Sequence, residues 1–317
     1  MTQWIAVALA ITSAVCLALG TQIQSAAVTG HTGGALSPRG LLVLVRNRRW
    51  VGGLALLASG TLLNVAALAL ATVTVVQPLG VIALVITTLL HARRRRLTIN
   101  RRTWLAVALC SVGGAGFVAC AVPATDPSHV AGAGAERLVV LLLTGLVVLV
   151  GVAEVVLRRR RISMFYVLAA GVLYGFVAVL VRLTMTALLS GGIGAVHWLS
   201  VLMILVAALL GGWMVQCAYS CGPPDLVIAG LTVVDPMVGV ALGLVVLGEA
   251  GAGLTTGTAV TMGLAGLVAI VGVVLLSRYH PEVLQRRAAA RARTADPGSG
   301  TRPRAATTPC RGEHADQ

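Results

Sequence analysis

Apolar residues fill the chain in long runs, broken by short polar stretches, from residue 4 to residue 277. Nine runs have the length of a membrane-crossing helix: residues 4–28, 51–69, 71–91, 103–122, 137–157, 163–189, 198–219, 225–248 and 254–277. A helix needs about 20 apolar residues to cross a hydrocarbon core of about 30 Å. The runs lack the period-two alternation of outer-membrane barrel strands. The expected fold is therefore all-α, a polytopic helical membrane protein. The turn between the second and third spans is weakly marked, because residues 66–76 contain no charge, glycine or proline. Residues 40–45 are apolar but too short to span. No arginine precedes Arg39, and the first run is too long for a signal core, so it reads as an uncleaved first span.

Composition agrees with the pattern. Hydrophobic residues make up 57% of the 317 positions and charged residues only 11%. A soluble domain carries about 25% charged residues. The net charge of +14 raises the question of nucleic acid, but the basic residues are all arginine and sit in short blocks between apolar runs. That distribution excludes a nucleic-acid face and suits membrane orientation. Of the 24 arginines, 22 fall in alternate loops, after spans 1, 3, 5 and 9. Positive loops stay cytoplasmic, so the N-terminus is expected outside and the C-terminus inside, in a plasma or inner membrane.

Two nearly matching tetrads lie 158 residues apart, Val75-Val76-Gln77-Pro78 and Val233-Val234-Asp235-Pro236. Thr74 matches Thr232, Ala83 matches Ala241 and Leu84 matches Leu242. The tetrads fall in spans 3 and 8, which the arginine count orients in opposite directions. The pattern is that of two inverted-topology repeats, in which a break at Pro78 and a break at Pro236 mark a transport site. The first repeat occupies residues 1–123, and residues 124–277 hold a linking helix and the second. Residues 278–317 form an arginine-rich cytoplasmic tail, expected to be disordered and suited to anionic lipid.

Proline in a helix frees the carbonyl four residues back, here those of Thr74 and Thr232. Asp235 carries the most information. A carboxylate near the bilayer centre costs about 2.5–3.5 kcal/mol on insertion scales, so it must be paired, hydrated or protonated. It suits cation binding, metal included, or proton exchange; the alternative is a structural ion pair with Arg182. Arg182 lies far enough along span 6 to snorkel to the interface, or to reach towards Asp235 or an anionic group of a substrate. Gln24, Asn64, Gln77 and Gln216 are uncharged polar residues inside spans, each either a ligand or interhelical glue. The offset of 158 aligns Gln24 with Arg182. Glu154 stands one turn before Arg158, as in an interfacial ion pair. Tyr174 and Tyr219 either line a cavity or pack. The histidines sit at span ends or in loops and make poor proton relays. Cys217 and Cys221 share a helix face, but no further ligand completes a zinc set, and the cysteines read as small buried hydrophobes. Glycines at small-xxx-small spacing imply a tight bundle and suit a homodimer.

The stretch from Ala66-Ala67-Leu68-Ala69-Leu70-Ala71 through Val76-Gln77-Pro78-Leu79-Gly80 resembles the third-helix region of NIPA-type magnesium transporters. Val234-Asp235-Pro236 through Leu247-Gly248-Glu249 resembles the Pro…Leu-Gly-Glu helix of EamA-type proteins. Both belong to the drug/metabolite transporter superfamily. The resemblance covers residues 4–277, and the nine-span layout is closer to the NIPA branch. It implies a secondary transporter or facilitator with a central cavity between inverted halves, and its NIPA side implies Mg2+. Asp235 is the acidic residue near the midplane that Mg2+ would use, with water completing the shell. Gln77 stands where the repeat partner has Asp.

Three classes follow. The first is a transporter of a small polar or cationic solute, Mg2+ included, with H+ as a coupling ion and no resident cofactor. The second is a non-transporting assembly or partner subunit. The third, a membrane enzyme acting on a lipid-linked substrate, requires a His/Asp/Glu constellation that the sequence lacks.

Overall fold

The computed structural model describes residues 2–32, 38–70, 100–125, 134–157 and 162–280, with isolated positions at 85, 86, 88, 89, 93 and 284. The third expected span, with Thr74, Gln77 and Pro78, lies outside the described residues, as does nearly all of the tail. Among the described residues, nine α-helices and one 3-10 turn form the chain. They are α1 (Thr2–Thr32), α2 (Pro38–Val45), α3 (Arg48–Leu70), α4 (Arg101–Ala124) and α5 (Ala135–Leu157). Then follow α6 (Ser163–Gly191), the 3-10 turn Ile193–Ala195, α7 (Trp198–Cys221), α8 (Pro224–Val245) and α9 (Thr256–Tyr279). Seven of these, α1 and α4 to α9, contain stretches long and apolar enough to cross a membrane. The protein is a multi-pass helical membrane protein.

Helix boundaries follow local chemistry. Asn100 caps α4 by accepting from Thr103 N at 3.0 Å, and Thr255 caps α9 by accepting from Thr258 N at 3.2 Å. Pro224 opens α8, where its missing N–H costs nothing. Gly192, at φ 69°, ends α6 in a conformation that a β-carbon disfavours. The short apolar stretch at 40–45 becomes α2, whose 8 residues span only about 12 Å.

The exposed surface is apolar. On α5, Leu141, Val148, Leu149, Val152, Val155 and Val156 all face outward. In water that stripe would be a severe aggregation hazard; in acyl chains it is solvated. On α1 the polar residues turn inward. Ser13, Thr21, Gln22, Gln24 and Ser25 are buried, whereas Ile5, Ile11 and Leu19 are exposed.

Small residues set the packing. α1 runs along α3, α4 along α9, and α6 against both α7 and α8. Gly171 and Gly175 of α6 receive Val234 and Val238 of α8, and a Cβ added at either glycine would lie 2.7 Å from the valine Cβ. Contacts that advance together along both chains make α6 and α8 parallel. The α4–α9 pair is antiparallel and has an internal regularity. Gly113 of α4 lies against Ala265 and Ala269, while Gly272 of α9 lies against Ala106 and Cys110. A single offset of 159 carries Ala106, Cys110 and Gly113 onto Ala265, Ala269 and Gly272, so exchanging the helices maps the contact onto itself.

The expected break at Pro236 is not a break. α8 is helical without interruption from Pro224 to Val245, with Pro236 inside it. Thr232 turns outward, and its hydroxyl bonds the carbonyls of Ile228 at 2.9 Å and Ala229 at 3.1 Å. That back-bonding satisfies the hydroxyl within the helix.

Candidate functional site

Midway along α8, Asp235 is half-buried. Its backbone is clasped by the glycine pair of α6: a Cβ added at Gly175 would lie 2.9 Å from Asp235 O, and one at Gly171 would lie 3.7 Å from Asp235 N. Between those glycines in sequence, Tyr174 comes within electrostatic reach of the Asp235 carboxylate. The Tyr174 ring in turn packs on Gly211 and Gly212 of α7. Asp235 thus stands beside the α6–α7 seam, inside the bundle. No hydrogen bond or ion pair to another described residue engages its carboxylate, which leaves the charge for water, a proton or a bound cation.

A second polar group joins α1, α3 and α7. The Gln216 amide accepts from Trp50 Nε1 at 3.1 Å and donates to Gln24 Oε1 at 3.3 Å. Gln24 is 1% exposed, and its own Nε2 has no partner. One helical turn away, buried Tyr219 lies within electrostatic reach of Thr21 and Tyr174. From Asp235 through Tyr174 and Tyr219 to Thr21, Gln24 and Gln216, polar side chains line one lane between α8, α6, α7 and α1. Such a lane is costly in hydrocarbon unless its groups bind each other, water or cargo.

Each end of the Asp235 helix has a buried carboxylate beside a nitrogen-bearing side chain. Beyond its C-terminus, Glu249 is 3% exposed and takes Arg182 Nη1 at 2.8 Å. The carboxylate fits because Gly243 has no side chain; a Cβ there would lie 2.9 Å from Glu249 Oε2. At the N-terminus, Asp225 is fully buried, with His280 Nε2 2.9 Å from its Oδ2. That contact is close without the alignment of a hydrogen bond.

The expected site residues therefore divide. Gln24 and Gln216 meet directly, and Asp235 joins them through the two tyrosines. Arg182 does not reach Asp235; it pairs with Glu249, a residue whose place in a connecting loop concealed its burial. Thr232 binds its own helix. Asn64 lies on α3, and its side chain is outside the described set, as are Thr74, Gln77 and Pro78. Glu154 lies within electrostatic reach of the Tyr166 hydroxyl, while Arg158 is outside the described residues. Trp50, Thr21, Asp225 and His280 had no distinguishing sequence signal. Asp225 reads as an ordinary acid at a helix start, and His280 as a loop residue. Among the described residues, no three His, Cys, Asp or Glu side chains cluster as metal ligands.

No family model matches the chain. No solved structure matches it either. It is similar to an uncharacterised protein of Corynebacterium glutamicum, 29% identical over 280 residues, which takes in 86% of this chain and 95% of the relative.

Proposed function

We propose that the protein is a transporter of the cell's plasma or inner membrane, moving a small polar or cationic solute along the Asp235 lane by alternating access. The observation that carries this reading is the Asp235 carboxylate, which no other described residue engages, held midway along an apolar helix within electrostatic reach of Tyr174 of α6. Retaining such a group costs insertion energy, and an intramembrane carboxylate without a structural partner is by default functional. Cation binding, or exchange of a proton, gives it a use. A hydrated Mg2+ suits one carboxylate surrounded by neutral oxygens, because Mg2+ keeps most of its water and needs few protein ligands. Gln24, Gln216 and the tyrosine hydroxyls offer such oxygens.

The self-mapping contact of α4 with α9 supports two inverted halves, as the drug/metabolite transporter resemblance implies. In such an arrangement α1 would correspond to α6 and α3 to α7, the geometry on which inverted-repeat transporters rock. Parallel α6 and α8, and antiparallel α4 and α9, agree with the orientations from arginine placement.

Flux of purified protein in proteoliposomes tests the proposal. The panel is Mg2+ and other divalent ions, organic cations and amino acids, each with and without a pH gradient. Protein-dependent uptake of one class is expected. Absence of uptake across the panel, with protein correctly inserted, would favour a non-transporting partner subunit.

A further inference from the structure

The arginine-rich end of the α1–α3 pair holds a groove that the transport lane does not use. Its volume is about 750 Å3, and its walls include Ile23, Ala26 and Gly30 of α1 and Gly52 and Leu56 of α3, with Arg49 at its polar end. The groove is apolar along its length and cationic at one end.

The short helix α2, which ends just before the Asn47 that lines the groove, packs against α1 and α3. Leu44 of α2 is buried, while Val43 and Val45 are 57% and 51% exposed. A short helix with exposed valines, followed by Arg46, Arg48 and Arg49, belongs at the level where acyl chains meet headgroups. There the valines reach the acyl region and the arginines the phosphates.

Charge selects the ligand. The chain contains no Asp or Glu before Asp126, so α1, α2 and α3 hold no carboxylate that could neutralise these arginines. Arg46, Arg48 and Arg49 are exposed and form no ion pair with a described residue. The N-terminus of the 23-residue α3 points its positive dipole end to the same place. Among the described residues no carboxylate meets these arginines, and an anionic group carried on an apolar chain would complement both them and the groove. We propose that the groove binds one anionic phospholipid of the arginine-side leaflet, with an acyl chain along Ile23, Gly30 and Leu56 and its phosphate on Arg49.

Native mass spectrometry of the full-length protein, released from neutral detergent, tests this with three probes: phosphatidylglycerol, phosphatidylcholine and glycerol 3-phosphate. Wild type is expected to retain phosphatidylglycerol in preference to phosphatidylcholine and to ignore glycerol 3-phosphate. Removing one phosphate-level cation with Arg49→Gln should weaken phosphatidylglycerol retention about fivefold. Gly52→Leu should abolish it by filling the groove. A Cβ at Gly52 meets nothing within 4 Å, so this variant should melt like wild type. Gly30→Leu, at an equally open position, is the second groove-filling variant should Gly52→Leu melt early. Gly145→Leu, an open site on α5, should leave retention unchanged. Equal retention of both lipids by wild type would overturn the proposal. So would competition by glycerol 3-phosphate, or undiminished phosphatidylglycerol retention in folded Arg49→Gln and groove-filled variants.

Discussion

Gln216 is the residue on which most of the buried polar order turns, because its one amide serves both Trp50 and Gln24. Gln216→Leu strands the indole N–H and deepens the deficit of a Gln24 amide that already lacks a partner. The expected loss is about 1–3 kcal/mol, read as earlier unfolding in detergent, with Trp50 emission shifting as its partner is lost. A melt unchanged from wild type would mean that water replaces Gln216 freely. Beyond the C-terminus of α8, Arg182→Ala leaves the buried Glu249 carboxylate without its partner. Complete burial of a broken pair costs about 3–5 kcal/mol, but the Arg182 side chain is 47% exposed, so about 2 kcal/mol is expected. Adding Glu249→Gln should restore part of that loss; a double variant less stable than the single would contradict the pairing. Single polar residues inside spans were legible in the sequence because each violates the apolar pattern. Their partners were not. Arg182 and Asp235 are natural partners by charge, yet a buried carboxylate 67 positions along the chain from Arg182 takes the arginine.

Among the elements, the α6–α8 contact does the most to hold Asp235 in place. Gly171 and Gly175 let two parallel helices approach until valines of α8 rest on α6 backbone. Gly175→Leu should therefore lower stability sharply and reduce flux, whereas Gly145→Ala, where nothing lies within 4 Å, should be neutral. Thermal melts of the two variants separate close packing from a general effect of losing glycine. Similar melts would deny the contact its role. Among the described residues, helix positions were readable from apolar runs to within a few residues, because in lipid every backbone group must be satisfied within the helix. The fate of Pro236 was not readable. A proline permits a break without requiring one, and here neighbours on α6 hold the helix continuous.

For the whole molecule, arginine placement gives a direction and the α4–α9 contact gives a symmetry. The C-terminus is expected in the cytoplasm, where a C-terminal fluorescent protein should mature, and the N-terminus outside, open to an impermeant label. The reverse result would remove the inverted orientation of the halves. The offset of 158 between tetrads and 159 between the α4 and α9 contacts means that one residue separates the registers of the two halves. A repeat of this kind shows in sequence only where both copies keep unusual residues, as at the two prolines. Ala106, Cys110 and Gly113 against Ala265, Ala269 and Gly272 are too ordinary to notice until they touch. The symmetry ends at the chemistry, because one half carries Gln77 and the other Asp235. Flux through Asp235→Asn is therefore the most direct test. The amide keeps the shape and removes the charge, so the variant should insert, fold and melt like wild type while protein-dependent solute uptake in proteoliposomes falls to background. Wild-type uptake by a folded Asp235→Asn protein would contradict the account.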